Sequence, residues 1–443
     1  MKHKIVIIGL GYVGLPLARL FATKYPVVGF DINQKRVNEL NAGHDGTLEV
    51  SDELLTAALV KENPFVIMGE VKQSETAGLY CSCNVRDIAD ANVYVITVPT
   101  PVDKNNRPVL TPLVKASETV GRVLKKGDIV IYESTVYPGV TEEECVPMLE
   151  KISGLSFNKD FYCGYSPERI NPGDKTRTVE NIMKVTSGST PEIGIVVNKL
   201  YQTVIKAGTH LVPSIKVAEA SKVVENAQRD INIAFVNELA KIFSLMNIST
   251  QEVLAAAGTK WNFLPFKPGL VGGHCIGVDP FYLAQKAQDV GYYSELILTA
   301  RRVNDSMGGF VAHQVVKAMI KKNIQVNGGK VLMLGITFKE NCGDVRNTKI
   351  VDVVAALKDY GVSVTIYDPW ANPEEVLHEY GLISHQELPS SNTQHPASTQ
   401  EYDAIVLAVA HQEFRCLDLS LLRKANSVVY DVKGILEKAD WQL

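Results

Sequence analysis

Cysteine is scarce in this chain and poorly placed for cross-linking. The seven residues Cys81, Cys83, Cys145, Cys163, Cys275, Cys342 and Cys416 are odd in number and scattered, which fits neither a disulfide framework nor the paired ligands of a zinc site. Cys81-Ser82-Cys83 has no nearby histidine or second pair to complete a tetrahedral set, so it reads as structural and no metal is expected. Charge of one sign is missing too. The net charge is -4 with no lysine-arginine run, which removes a basic field for nucleic acid or a membrane surface; an anionic ligand must be held locally. No apolar span reaches the ~18 residues of a membrane crossing. Met1-Lys2-His3-Lys4 runs straight into Ile5-Val6-Ile7-Ile8-Gly9, too short for a signal core and without a cleavage site. These absences predict a cytoplasmic protein with neither a nucleic-acid nor a membrane partner. What is present is core: 46% hydrophobic against 21% charged over 443 residues, enough for about three ordinary domains.

The N-terminal third carries a dinucleotide-binding pattern. A buried strand from Lys4 leads into Gly9-Leu10-Gly11-Tyr12-Val13-Gly14, which opens a helical run from Leu15 to Lys24, and a second strand, Val27 to Phe30, ends in Asp31. The first glycine makes the strand-to-helix turn, the second admits a pyrophosphate to the helix N-terminus, and the third lets helix and strand pack. Asp31 is placed to accept from a ribose 2'-OH and would repel a 2'-phosphate, so NAD is expected rather than NADP. Further apolar strands, Ala91 to Thr100 and Asp128 to Val136, predict a parallel sheet covered on both faces. Thr100, Glu133, Ser134 and Thr135 fall at their carboxyl ends, where such sheets bind ligands, although each could equally be a loop-start cap.

In the middle, Phe161 to Gly173 reads as a short strand and a proline-stiffened loop containing Glu168 and Arg169; a solvated carboxylate is the ordinary expectation there. Pro213 to about Asn247 has no internal Gly or Pro after Ser214, and its helical periodicity predicts a helix on the order of 50 Å long, a strut between domains. Lys222 and Asn226 lie one turn apart on it, close to Glu219 and Glu225, and a lysine so placed is ordinarily paired with a carboxylate. Phe263 to Asp279 packs Cys275 among Gly269, Gly272, Gly273 and Gly277, residues that let backbone approach a ligand closely. Asp279-Pro280 reads as N-cap and first helical residue, which sets Cys275 just upstream of a helix N-terminus that favours a thiolate. A buried structural cysteine is the plain alternative.

In the C-terminal third, Lys330 to Gly335, a helix from Thr348 to Tyr360 and Val362 to Asp368 repeat the strand, helix, strand, acid layout without the G-x-G-x-x-G. Phe338 to Arg346 stands in its place, with Lys339 and Arg346 as side-chain phosphate grips. Asp403 to Ala410 and Ser427 to Val432 complete a sheet, and the run from Leu388 to Gln400 is a polar loop. The expected class is α/β, two Rossmann-like doubly wound domains joined by a long central helix: 1–205 for NAD, 206–310 with the helix and cysteine loop, and 311–443 for a second nucleotide ligand.

Seven motifs in order, GLGYVGLPLA at 9 to 18, VPTP at 98 to 101, ESTVYPG at 133 to 139, YSPERINPG at 165 to 173, EASKVVEN at 219 to 226, GGHCIGVDP at 272 to 280 and FKENCGDVRNT at 338 to 348, resemble the UDP-glucose/GDP-mannose dehydrogenase family over nearly the whole chain. The ERINPG and GGHCIGVDP spellings resemble the branch acting on UDP-N-acetylhexosamines, most closely bacterial capsular members acting on UDP-N-acetylglucosamine. The resemblance implies a four-electron oxidation of a sugar C6 alcohol to a carboxylate with two NAD+, making a uronic acid for a surface polysaccharide. Cys275 then matches the nucleophile that carries the thiohemiacetal and thioester; Lys222 and Asn226 match the oxyanion partners. Asp279 matches an acid in proton transfer, Glu168 the glutamate of thioester hydrolysis, and Thr100 a threonine near water and cofactor. Cofactor contacts are expected at Gly9, Gly11, Tyr12, Val13, Gly14, Asp31, Arg36, Thr100, Thr135 and Arg346. UDP-sugar contacts are expected at Glu168, Arg169, Lys222, Asn226, Phe263, Lys267, Gly269, Gly272, Gly273 and Lys339. The division of Lys339, Asp344 and Arg346 between sugar nucleotide and NAD stays open. UDP-glucose members carry a lysine where this chain has Val278 and a second glutamate where it has Pro172, departures shared with the N-acetylhexosamine branch that put UDP-glucose in doubt; UDP-N-acetylglucosamine is the expected substrate, with UDP-N-acetylmannosamine, UDP-N-acetylgalactosamine and UDP-glucose as alternatives. The apolar second half of the long helix predicts a homodimer or higher homo-oligomer.

Overall fold

Alternation along the strands decides where the cores sit. A computed structural model describes residues 3–67, 77–103, 107–170, 177–273, 276–388 and 401–443. Cys275, the residues after Ile170 in the ERINPG loop and the polar run 389–400 lie outside that set. The chain divides into two compact units, one of Met1–Glu225 with Phe281–Val290, the other of Asn226–Pro280 with Gly291–Leu443.

The first unit is built on β1 (Ile5–Ile8), β2 (Pro26–Phe30), β3 (Gly78–Ser82), β4 (Val93–Ile96), β5 (Ile129–Tyr132), β6 (Tyr162–Tyr165), β7 (Lys184–Gly188) and β8 (Thr209–Leu211). Their order in the sheet is β3-β2-β1-β4-β5-β6-β7-β8. Ile5, Ile7, Val27, Val93, Val95 and Ile131 enter one apolar layer, and Val6, Ile8, Val28, Tyr94, Ile96 and Val130 enter the other. Side chains alternate across a strand, so a sheet buried on both faces needs strands that are apolar throughout. β7 and β8 are the exceptions in direction: β7 runs antiparallel to β6, with Tyr165 opposite Ser187, and β8 pairs in parallel with β7.

The second unit repeats the plan with β9 (Lys330–Leu334), β10 (Ser363–Tyr367), β11 (Ser384–His385), β12 (Tyr402–Leu407), β13 (Arg423–Asp431) and β14 (Trp441–Gln442), in the order β11-β10-β9-β12-β13-β14. Each sheet thus reverses its strand order beside its first strand, the place where doubly wound sheets take ligands. The expected class of two Rossmann-like units with a long central helix is the one observed. That helix runs Ile215–Met246, 32 residues, and the boundary between the units falls within it.

Differences from expectation are local. β4 stops at Ile96 because the Thr97 hydroxyl turns back onto the Ile8 and Gly9 carbonyls at 3.0 and 2.8 Å, and Pro99 and Pro101 have no N–H to continue a ladder. The helix of the second unit is Ile350–Asp359, shorter than read, with Thr348 outside it accepting the Ile350 N–H at 3.3 Å. Among the described residues no helix is long and apolar enough to cross a membrane, and no cluster of His, Cys, Asp and Glu is placed to hold a metal.

Candidate active site

The glycine turn of the first unit is shaped by what a side chain would strike. A Cβ on Gly14 would stand 1.8 Å from the Gly9 carbonyl oxygen and 2.5 Å from Thr97 Oγ1, so the third glycine is demanded by helix packing against the strand end. A Cβ on Gly11 would meet no atom within 4 Å. Nothing in the protein requires a glycine there; the open space beside the start of the helix Gly14–Ala22 is what a pyrophosphate needs, and the residues fit NAD in that respect. Tyr12 and Val13 complete the turn, Val13 as the residue preceding the helix.

Asp31 and Arg36 hold this turn from behind. Asp31 accepts the Leu10 N–H at 2.8 Å and the Asn33 N–H at 2.9 Å. A carboxylate has about four acceptor positions, so capacity remains for a ribose hydroxyl. Arg36, expected among the cofactor contacts, instead has its guanidinium on the Leu10 carbonyl at 3.0 Å, on Asp45 at 2.6 Å and on Glu39 at 3.3 Å. Its place is to support the loop that carries the glycines. Burial pushes the Asp45 carboxyl up, but hydrogen bonds from Thr47, Arg36 and the backbone outweigh it and hold the group below the usual carboxylate range.

At the carboxyl edge of the same sheet, the Thr100 hydroxyl donates to the Thr135 carbonyl at 2.6 Å, bringing together two residues predicted from separate strands. The Tyr282 hydroxyl donates to the Thr100 carbonyl at 2.5 Å and fixes that loop. Glu168 corrects the expectation of a solvated carboxylate. It is buried, with Oε1 accepting the N–H groups of Arg169 and Ile170 at 2.6 and 2.7 Å and Oε2 paired with Lys184 at 2.7 Å. Lys184 also reaches Glu133 at 2.6 Å, and Glu133 accepts from the Tyr201 hydroxyl. Burial pushes the Glu133 carboxyl up, Lys184 opposing it. Lys184 escapes sequence reasoning because a lysine opening a strand is ordinarily solvated; the only signal would have been the register of an antiparallel strand.

Lys222 behaves differently. Its two nearest carboxylates in sequence are both committed elsewhere: Glu219 accepts the Gly139 and Thr141 N–H groups at 2.6 and 2.9 Å, and Glu225 pairs with Arg169. Lys222 is 7% exposed, and among the described residues its ammonium has no hydrogen bond or ion pair.

In the second unit, Asn226 donates through Nδ2 to Asp279 Oδ2 at 2.5 Å, both side chains buried. The helix that begins here is Asp279–Asp289, so Asp279 is its first residue rather than the residue before it, and Pro280 follows within the first turn. The loop leading to it is fastened by Asn237, which accepts the Gly269 N–H at 2.8 Å and donates to the Gly269 carbonyl at 3.0 Å. Asn304 and Asp230 extend this network, with Arg301 on Asp230 at 2.5 Å. Gly272 and Gly273 were read as glycines that admit a ligand. Here they admit protein: a Cβ on Gly272 would lie 2.7 Å from the Asn347 carbonyl, and one on Gly273 would lie 2.8 Å from the Phe338 ring. Gly269 has open space at its Cβ position, Phe263 is partly buried, and Lys267 is exposed.

The Phe338 to Thr348 segment stands at the reversal point of the second sheet. Arg346 forks Asp344 with Nε at 2.9 Å and Nη2 at 2.6 Å, so its guanidinium is partly taken up within the loop, and Lys339 is partly buried. Beneath it Asp368, His411 and Thr337 form a fully buried cluster, with His411 Nε2 at 3.1 Å from Asp368 and 3.0 Å from Thr337. His411 Nδ1 accepts the Asn341 N–H at 2.9 Å, which places the ring proton on Nε2.

The chain matches the UDP-glucose/GDP-mannose dehydrogenase family in three parts: its NAD binding domain over residues 3–205, its central domain over 216–306 and its UDP binding domain over 332–438. It is 56% identical to a UDP-N-acetyl-D-glucosamine 6-dehydrogenase of Pseudomonas aeruginosa, covering 99% of each chain. It is 55% identical to the Salmonella typhi protein of the same description, covering 99% of this chain and 98% of that one. The UDP-D-ManNAc dehydrogenase structure from Pyrococcus horikoshii superimposes with a TM-score of 0.83 at 29% identity, covering 99% of this chain and 98% of that one. Glycine turn, strand-end acid and three-part match agree: the chain belongs to the UDP-glucose/GDP-mannose dehydrogenase family and is an NAD-dependent nucleotide-sugar dehydrogenase.

Proposed function

We propose that this enzyme oxidises the C6 hydroxyl of UDP-N-acetylglucosamine to the uronic acid, in the cytoplasm, for a surface polysaccharide. The observation that carries the reading is full-length identity above one half to two relatives described as acting on that sugar. The Gly9 to Gly14 turn and Asp31 would hold NAD+, which would supply the hydride acceptor. The protein's own residues do the rest. Asp279, oriented by Asn226, moves the C6 hydroxyl proton. Cys275 Sγ adds to the C6 aldehyde carbon, which keeps the aldehyde from escaping. Lys222 and Asn226 are assigned to the oxygen that becomes negative in each oxidation, where a positive charge and a hydrogen-bond donor stabilise it. Glu168 takes a proton from the water that hydrolyses the thioester. The Lys222 ammonium, with no carboxylate partner among the described residues, is left available for the oxyanion role. Arg169, Phe263, Lys267, Gly269 and Lys339 are assigned to the sugar nucleotide; Arg346, Thr100 and Thr135 to the cofactor side.

The test is product stoichiometry over UDP-N-acetylglucosamine, its manno and galacto epimers and UDP-glucose. Two NADH per sugar with the gluco N-acetyl substrate preferred is expected, and preference for a sugar lacking the acetamido group would sink the substrate assignment. Cys275→Ser is expected to abolish carboxylate formation. A homo-oligomer through the long helix is supported by exposed Phe235, Ile242, Leu245 and Met246 on its second half; a monomer in sedimentation would refute it.

A further inference from the structure

The reversal of β7 is what brings a lysine to the reactive edge of the first sheet. β6 pairs in parallel with β5, Tyr165 beside Tyr132, so the residues just beyond their ends, Glu133 and the Ser166 to Glu168 turn, share the carboxyl edge. β7 returns antiparallel with Ser187 opposite Tyr165 and Gly188 opposite Gly164. Continued by the same register, the pairing sets Lys184 against Glu168. A parallel β7 would put Lys184 at the opposite edge of the sheet. Lys184 is 2% exposed and every feature of its ammonium is engaged: Glu133 at 2.6 Å, Glu168 at 2.7 Å and the Tyr201 ring face at 5.7 Å.

With Oε1 on two backbone N–H groups and Oε2 on Lys184, the Glu168 carboxylate is locked in one rotamer while Oε2 keeps a second acceptor position. We propose that Lys184 is the positioning residue for Glu168 in the hydrolytic half of the reaction, holding the carboxylate oriented to receive a proton from water. This rests on the function proposed above. In the step concerned, a C–O bond forms from water to the acyl carbon and the C–S bond breaks, its electron pair leaving on sulfur. One water proton goes to Glu168 Oε2 and the other is shed as the product acid ionises. No oxidation occurs in this step. Loss of Lys184 therefore slows hydrolysis and spares the two oxidations before it, a separation that a merely structural residue does not give.

Rapid quench of the full-length enzyme with UDP-N-acetylglucosamine and excess NAD+, reading NADH per site and the mass of the quenched protein, tests this. Lys184→Met combined with Glu133→Gln removes the lysine together with a charge it would orphan. It is expected to give a burst of two NADH per site and then turn over roughly 100-fold more slowly, with acyl-enzyme as the main species. Lys184→Arg keeps the cation and is expected to recover most of the turnover. A burst that falls in step with turnover, with no acyl-enzyme, overturns the inference. If the double variant does not fold, Lys184→Met alone decides: acyl-enzyme rising as turnover falls supports the role, and its absence during slowed turnover overturns it. Wild-type enzyme releasing fewer than two NADH per sugar would instead count against the function itself.

Discussion

One aspartate follows the second strand of each Rossmann-like unit, Asp31 in the first and Asp368 in the second, and the two have been put to different use. Gly9 and Gly335 follow the first strand of each sheet with φ of 93° and 99°, a left-handed backbone that favours glycine, and each donates its N–H to the end of the second strand at 2.8 Å. Beyond that shared turn the units part. In the first, Gly11 leaves open space and Asp31 keeps acceptor capacity. In the second, Thr337 and Phe338 occupy the turn, and Asp368 is saturated by the N–H groups of Ile336, Thr337, Trp370 and Ala371 and by His411. Hydrogen bonds from His411 and the backbone hold Asp368 below its ordinary value despite burial. A strand-end acid thus marks a ribose site only where the neighbouring backbone leaves it unspent; Asp368 has become part of the scaffold under the Lys339 loop.

The comparison can be broken in several ways. Gly14→Ala puts a Cβ against main chain, and a loss beyond about 4 kcal/mol is expected, read as failure of the first unit to fold in circular dichroism; a variant of native stability would show the turn to be pliable. Asp368→Ala orphans a buried histidine and several N–H groups and is expected to lower stability by about 3 to 5 kcal/mol in urea melts. Asp31→Ala should lose only about 1 kcal/mol but weaken NAD about tenfold by titration. If both aspartates behave alike, the division of labour fails. Gly11→Ala meets no protein atom, so unchanged melting with about tenfold weaker NAD binding, roughly 1.4 kcal/mol, is expected. A further effect is in pH. Burial pushes buried Glu219 up to about 7 from 4.5, so the folded state holds the proton more tightly than the unfolded one. That stabilisation is fully present below pH 4.5 and is lost as pH rises to about 7. Wild type should lose stability across this window relative to Glu219→Gln; parallel pH curves would refute it.

Strand-forming apolar runs, the glycine turn and the long Gly- and Pro-free helix made the two-unit plan legible, because each follows from local chemistry. Direction was not: Lys184-Val185-Thr186-Ser187-Gly188 reads the same whether its strand runs up or down, and only the sheet decides. The same blindness hid the burial of Glu168 and the partner it finds. Gly272 and Gly273 were legible as close approaches, but what approaches them, Asn347 and Phe338, lies too far along the chain to be inferred. Lys222 was singled out, yet its lack of a carboxylate partner follows from the fates of Glu219 and Glu225, which sequence spacing misjudged.

Asn237 presents to Gly269 one donor and one acceptor, as an adjacent strand would, and so acts as a strand one residue long. A loop with a single such pairing has a fixed register there and slack on one side only. An extra residue between Gly258 and Pro268 can be absorbed as a longer bow, because both ends stay anchored. The same residue inserted between Gly269 and Gly272 has nowhere to go, since Asn237 fixes one end and Asn347, accepting the Gly273 N–H at 3.2 Å, fixes the other. The long helix therefore acts as a ruler for the loop, with its zero mark at Gly269.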